Sequence, residues 1–410
     1  MSMSAFREKD EPIIRSFLDT DIYKFYMLQP IANRYLAAEG RAKFLCRDSE
    51  DLIPYIAEIK KQVEMVGDIR FNQDQLNFLE HKIPAMKRSF VRGYLRMFKL
   101  FPEDVRIGIE NNQLSIEVSG NWALFTLWEI IILAIVSEVR NRNLHPDVNV
   151  DDVRKKLAKK VDNFYALAKE QNIDLSRLHI ADFGTRRRFS FETQFAVVDY
   201  LKHAMKDHFV GTSNIHIARE LGLKAIGTQA HEWYQAHQAL SGHQLVDSQK
   251  AALQAWADEY RGELGDALTD CISMDAFLND FDKYFSSLFT GMRHDSGCPF
   301  EWGEKAIAHY EKMGIDPMTK TLIFSDGLKL GQEVLDLYVR FKDRINVSFG
   351  IGTNLTCDID GVKAMNIVMK IIEINNKAVA KLSDSPGKSM CEDSEFVSYL
   401  KKVFKYKAEA

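Results

Sequence analysis

The sequence predicts an α/β barrel preceded by an α+β domain, and two observations carry that prediction. From about residue 150 onward, short and uniformly apolar runs alternate with helical stretches. Each run breaks into a glycine-containing or acidic turn at intervals of about 20 to 45 residues. Before residue 150 that rhythm is absent, and a strictly alternating hairpin pattern takes its place. The 410 residues, 46% apolar and 27% charged, suffice for a barrel and an attached domain. They exclude a disordered or disulfide-framed chain.

In the first part, Val105, Ile107 and Ile109, then Leu114, Ile116 and Val118, alternate with polar residues around Glu110-Asn111-Asn112-Gln113, the pattern of a half-buried hairpin. Leu52 to Val66 and Phe90 to Leu100 have helical spacing. Trp122 to Val139 is apolar enough to resemble a membrane span but contains Glu129 and Glu138, so it reads as a buried helix. Val153, Leu157, Val161, Phe164 and Ala168 then mark one face of a helix.

The expected barrel strands are Leu178–Ala181, Lys224–Ile226, Ala267-Leu268, Leu288-Phe289, Thr321–Phe324 and Val347–Phe349, with another strand end at Gly211-Thr212. Uniformly apolar runs fit strands buried on both faces. Six or more units, with a glycine-rich last turn, favour a barrel over an open sheet. Helices are expected at Gly303–Met313 and Gly331–Phe341, and an amphipathic one at Phe396, Leu400, Val403 and Phe404 that packs back on the body. The domains drawn from this are residues 1–145, 146–375 and 376–410.

Lys and Arg total 54 against 58 acidic residues, a net charge of −4, which leaves no basic excess for nucleic acid or an anionic membrane surface. Five scattered cysteines without Cys-x-x-Cys spacing, and an N-terminus without the marks of a signal peptide, fit a reducing cytoplasm. No P-loop, dinucleotide fingerprint or His-Glu-x-x-His string is present, since His231-Glu232 is followed by Trp233, Tyr234 and Gln235.

The turns after the strands carry the chemistry. Asp182-Phe183-Gly184-Thr185 leads into Arg186, Arg187 and Arg188, whose guanidinium forks suit phosphate or carboxylate oxygens, although a solvated basic loop or an intersubunit salt bridge would use them equally. Gly211-Thr212-Ser213-Asn214 suits a carboxylate or phosphate, or is simply a helix cap. His231, in Gly227-Thr228-Gln229-Ala230-His231, is placed to act as acid, base or nucleophile, including toward phosphorus. Gly291 to Gly297 combines Arg293, Asp295 and Ser296 in a single loop. Ser325-Asp326-Gly327 offers a carboxylate for vicinal hydroxyls, and Gly350-Ile351-Gly352-Thr353-Asn354 offers amides for phosphate. Together these turns describe a pocket for a phosphorylated sugar.

Seven ordered strings, Leu18-Asp19-Thr20-Asp21-Ile22-Tyr23-Lys24, Phe183 to Arg188, Gly211 to Asn214, Gly227 to Trp233, Arg293 to Gly297, Ser325 to Leu328 and Phe349 to Leu355, resemble those of the nicotinate phosphoribosyltransferase family over residues 18 to 355. The resemblance implies an irregular α/β barrel with an α+β N-terminal domain and a C-terminal helical extension packed on it. It also implies a homodimer with active sites at the interface, in which Tyr23 reaches in from the partner subunit. The implied reaction is transfer of phosphoribose from PRPP to nicotinate, coupled to ATP hydrolysis, in NAD salvage.

By matching position, His231 is implied to be phosphorylated, with Arg293 and Asp295 catalytic beside it. Tyr23 and Phe183 are implied to sandwich the pyridine ring, with Thr212, Ser213 and Arg293 around it. Arg186, Asp326, Gly327, Gly350, Gly352 and Thr353 are implied to hold ribose and phosphate. Ser213 stands where relatives using nicotinamide carry an acid, which fits an anionic substrate. Magnesium is expected on pyrophosphate, held by substrate oxygens and water without a protein metal cluster. Cys298 stands where relatives are expected to carry a polar or acidic residue. A nicotinamide- or quinolinate-using enzyme, or a non-catalytic binding protein on the same barrel, are the competing readings.

Overall fold

The computed structural model describes residues 4–385 and 391–407. Among the described residues eleven strands occur in chain order: β1 (Glu39–Cys46), β2 (Val105–Glu110), β3 (Gln113–Asn121), β4 (Ile180–Asp182), β5 (Phe209–Thr212), β6 (Asp266–Leu268), β7 (Gly291–His294), β8 (Thr321–Phe324), β9 (Asn346–Ile351), β10 (Ile367–Ile374) and β11 (Lys377–Ala378).

The expected hairpin is β2–β3, in register from Val105 opposite Val118 to Glu110 opposite Gln113. Its loop residues Asn111 and Asn112 both take positive φ, 50° and 58°, the backbone of a type I′ turn that matches the twist of the flanking strands. The antiparallel sheet runs β11-β10-β1-β3-β2. β10 and β11 therefore belong to the N-terminal layer, and the expected barrel boundary at 375 does not coincide with the division between the sheets. Strand pairing over hundreds of residues leaves no local mark in the sequence.

The second sheet is entirely parallel, in the order β5-β4-β9-β8-β7-β6. An isolated parallel bridge from Thr212 to Ala225 adds the expected Lys224–Ile226 segment beyond β5. Read from that bridge, the order is cyclic in the chain: β4, β5, the Ala225 bridge, then β6, β7, β8, β9 and back to β4. This is a barrel with one open seam, between Ala225 and β6. The seam is spanned by side chains, for example the Leu268 N–H donating to Gln229 Oε1 at 3.4 Å.

One expected strand is placed differently. Leu288 ends a helix, Lys283–Leu288, whose cap Asp282 accepts from the Tyr284 and Phe285 amides. The strand begins only at Gly291, where a Cβ would lie 2.2 Å from the Thr321 carbonyl oxygen. Arg293 therefore sits within a strand and not in a loop. The Phe90–Leu100 stretch forms a π turn and a 3-10 turn instead of a regular helix.

The Val150–Glu170 helix is capped by Asn149 and buries Val153, Leu157, Val161, Phe164 and Ala168, the predicted stripe. The apolar Trp122–Leu144 stretch has the length and composition of a span, yet 89% of its most apolar window is buried inside the protein. Its two acids explain the difference: Glu129 pairs with Lys24 and Glu138 faces Arg188. It is a core helix, Trp128–Leu144, preceded by the short Trp122–Phe125 helix. The C-terminal helix, Ser394–Val403, seats Leu400 on Ile272, Ala276, Ala380 and Leu382.

Candidate active site

Parallel strands bring their C-terminal ends to one mouth, and three adjoining compartments open there. One of about 400 Å³ is walled by Phe183, Arg187 and Thr353, one of about 260 Å³ by Asp326 and Lys381, and one of about 50 Å³ by Tyr23 and His231. Arg186 and Asp295 line all three, so they form one basin. A larger cavity of about 600 Å³, around His145, Lys156 and Asp358, lies elsewhere and shares none of these residues.

His231 begins the short His231–His237 helix beside the seam. Its Nε2 lies 2.8 Å from Asp270 Oδ1, just beyond β6, and 3.6 Å from Asp295 Oδ2, just beyond β7. Lys381 Nζ lies 2.8 Å from Asp270 Oδ2 and 3.9 Å from Asp295. The Ser296 hydroxyl donates to Asp270 Oδ2 at 2.6 Å.

Burial and the Lys381 ammonium push the imidazole pKa down to about 4, so the ring is neutral near pH 7. Burial works against the charge on Asp270, but Lys381 and the His231 ring hold it well below the usual carboxylate range. Asp295 is likewise held at about 2, chiefly by Arg293, against the effect of burial. With Asp270 ionised, Nε2 is the protonated nitrogen of the neutral ring, which leaves the lone pair on Nδ1. A buried, neutral imidazole oriented by a carboxylate is equipped for nucleophilic attack.

Asp270 is thus a site residue that the motif reading passed over. Its one signal was its place immediately after a barrel strand. Lys381, Lys370 and Glu129 are others. Lys370 stands inside the largely apolar β10, and burial lowers its pKa to about 8 against the pull of Glu129.

The three successive arginines part company. Arg186 and Arg187 face the basin. Arg188 is fully buried and forks onto Asp19, Nη1 to Oδ1 at 2.6 Å and Nη2 to Oδ2 at 2.8 Å, a salt bridge inside its own chain. Arg293 donates from Nη1 to Thr228 Oγ1 at 2.5 Å, while its buried Nε has no protein partner among the described residues. That leaves donor capacity facing two compartments.

Phe183 and Tyr23 line adjoining compartments, both flanked by Arg186 and Arg293. Tyr23 lines the same compartment as His231 of its own chain. Gly350 lines none of the three compartments. A Cβ there would meet the Phe183 ring at 2.3 Å, so the absence of a side chain at this position seats the aromatic ring. Gly352, Thr353 and Gly327 do line the largest of the three compartments.

Two further expectations shift. Thr212 is fully buried and spends its hydroxyl on Asp182 at 2.7 Å, behind the basin wall. Ser213 donates to Asp21 Oδ1 at 2.6 Å and lines none of the three compartments. Both brace the wall because their strand, β5, ends in a turn whose polar groups are used in the chain's own cap at Asn214. Cys298 is exposed at the start of the Pro299–Lys312 helix.

His231, Asp270 and Asp295 place potential ligand atoms within 4.8 Å of one another. Asp270, however, already accepts from His231, Ser296 and Lys381, so a metal ion would have to displace the lysine.

Comparison with known proteins agrees with this architecture. Two family models match, the nicotinate phosphoribosyltransferase (NAPRTase) N-terminal domain over residues 18–137 and the nicotinate phosphoribosyltransferase (NAPRTase) family over residues 178–408. The chain is 54% identical over 405 residues to the nicotinate phosphoribosyltransferase of Ectopseudomonas mendocina, covering 99% of each chain. It is 53% identical to nicotinate phosphoribosyltransferase 1 of Pseudomonas aeruginosa, over 98% of this chain and 99% of that one. A crystal structure of nicotinate phosphoribosyltransferase from Vibrio cholerae superimposes with a TM-score of 0.93 at 41% identity, covering 97% of this chain and 95% of that one.

Proposed function

The chain belongs to the nicotinate phosphoribosyltransferase family, and from that premise we propose that it transfers phosphoribose from PRPP to nicotinate with ATP hydrolysis routed through phosphorylated His231. The observation that carries this reading is the neutral, carboxylate-oriented His231 opening onto the same basin as Arg186, Arg293 and the aromatic wall.

In the transfer step the pyridine nitrogen bonds to C1 of the ribose while the C1–oxygen bond to pyrophosphate breaks, taking its electron pair with the leaving group. The nitrogen already has a lone pair, so no strong base is required, and positioning and charge stabilisation dominate. Arg293 and Arg186 are the cations for the nicotinate carboxylate. The Phe183 ring, fixed on Gly350, and Tyr23 are the apolar walls for the pyridine. Since the Ser213 hydroxyl is spent on Asp21, preference for nicotinate over nicotinamide rests on those cations. Asp326 would take ribose hydroxyls, and Gly352 to Asn354 the phosphate.

In the ATP half, Nδ1 of His231 bonds to the γ-phosphorus and the bond to the bridging oxygen of ADP breaks. The ring then carries a positive charge, with its Nε2 proton still held by Asp270. Attack of water on that phosphorus returns neutral histidine and inorganic phosphate.

Magnesium, when bound, neutralises pyrophosphate charge. Asp270 is already saturated, so Asp295, about a quarter exposed, and Asp326 are the carboxylates that fit it, alongside substrate oxygens. A homodimer and a reducing cytoplasm complete the proposal. The five cysteines are all free thiols, and a partner subunit would add to a basin that already contains Tyr23.

Turnover of nicotinate, nicotinamide and quinolinate with PRPP tests the substrate, and nicotinate giving no product refutes it. γ-Labelled ATP should leave an acid-labile, base-stable label that is absent in His231→Asn. Label persisting in that variant refutes the phosphosite.

A further inference from the structure

Lys24 has no part in the chemistry just described, yet its placement is unusual. Its side chain is fully buried, and a charge so placed requires compensation. The ammonium bridges two carboxylates, Glu129 Oε2 at 2.7 Å and Glu232 Oε2 at 2.5 Å. The other oxygen of Glu232 accepts from the Trp122 indole N–H at 2.6 Å and the Thr126 hydroxyl at 2.8 Å. Four separate segments therefore meet here: the Ile22–Arg34 helix, the short Trp122–Phe125 helix with its C-cap Thr126, the Trp128–Leu144 helix and the His231–His237 helix.

Both ends of this bridge border the active site. Glu232 directly follows His231, Lys24 directly follows Tyr23, and Glu129 lines the basin with Arg186 Nη1 3.8 Å away. Against the effect of burial, Lys24, Lys370 and Arg186 hold Glu129 at about 2, so it is ionised throughout the working range. Packing alone would be served as well or better by apolar side chains of similar volume, since buried ion pairs rarely add net stability. What a charged bridge of this kind does supply is a fixed geometry between the helix that bears the phosphosite and the wall that meets the ring.

We propose that Lys24 is a positioning residue that ties the His231 helix to Tyr23 and Arg186, so that phosphorylation of His231 alters nicotinate affinity; this rests on the reading that ATP phosphorylates His231. A phosphoryl group brings up to about two negative charges to a helix whose next residue shares a single ammonium with Glu129. The added charge changes how Lys24 is divided between Glu232 and Glu129, and Glu129 in turn sets Arg186.

The test measures nicotinate KM with and without ATP, and ATP hydrolysed per nucleotide formed, in the full-length enzyme. The variants are Lys24→Met and Glu232→Gln. The second keeps the acceptor for Trp122 and Thr126 and decides the matter if Lys24→Met fails to fold. In the wild type, KM without ATP should exceed KM with ATP by about tenfold, within the usual range of coupling between sites. In the variants that ratio should fall toward one and ATP use per product should rise, while His231 still accepts label. Folded variants with the wild-type ratio and stoichiometry overturn the assignment, as does equal loss of labelling and turnover with the ratio intact, the mark of a merely structural role. A wild type with neither label nor an ATP effect on KM overturns the ATP reading itself.

Discussion

Replacing Asp270 by Asn tests the His231 mechanism where it is most specific. The substitution preserves shape and leaves an oxygen able to accept from Nε2, but it removes the charge that faces the ring at 2.8 Å. When Nδ1 takes the phosphoryl group the imidazole becomes cationic, and the bond to Asp270 becomes charge-assisted. Such bonds contribute about 1.5–3 kcal/mol, and each 1.36 kcal/mol is a factor of ten in rate. Phosphohistidine formation should therefore slow by about 10- to 150-fold, read by rapid quench with γ-labelled ATP at saturating concentration. Stability should also fall, because Lys381 loses its nearer carboxylate and keeps only Asp295 at 3.9 Å. Breaking a buried pair costs up to about 3–5 kcal/mol, and Asp295 recovers part of it. A folded Asp270→Asn enzyme that labels at the wild-type rate would refute the assignment of Asp270 as the group that orients and stabilises the ring.

The pH dependence of stability has a definite sign. His231 titrates near 4 in the folded chain and near 6.5 when unfolded, so the unfolded state binds more protons in between. Stability then rises with pH across that window, by up to about 3 kcal/mol, and urea unfolding should show the wild type losing that much more than His231→Asn on acidification from pH 6.5 to 4. Gly350→Ala places a Cβ 2.3 Å from the Phe183 ring, an overpacking of about 1–3 kcal/mol. It should raise nicotinate KM with PRPP KM unmoved, whereas a phosphate-cradle role predicts the reverse in steady-state kinetics. Arg188→Met should cost about 3–5 kcal/mol of stability by calorimetry or denaturant, because it leaves the buried Asp19 carboxylate without its countercharge. Arg186→Lys should lower kcat/KM without that loss.

The helices and strands that pack on one consistent face were readable because burial repeats locally. The Val150–Glu170 stripe, the β2–β3 alternation and the two-sided burial of β8 and β9 are examples. Local pattern failed at Leu288-Phe289, where an apolar pair closes a helix, and only the Asp282 cap and the contact at Gly291 place the strand start. Gly350 and Thr212 illustrate a related ambiguity: one borders the Phe183 ring and the other donates to Asp182. A polar or glycine-rich strand end can face a ligand or brace a neighbour, and the two share one composition.

The sequence by itself determined the alternation of strand and turn, the position of His231 at a strand-end turn, and a near-neutral charge with cations concentrated in a few loops. Only the tertiary structure decided which groups meet. His231, Asp270, Asp295 and Lys381 span 150 residues and converge because the barrel leaves a seam between Ala225 and β6 while the chain returns after β11 to close over it. The protonation state of His231, and hence which nitrogen can act, is set by that convergence. Ionisation follows burial and neighbouring charge in space, and neither is a property of position along the chain.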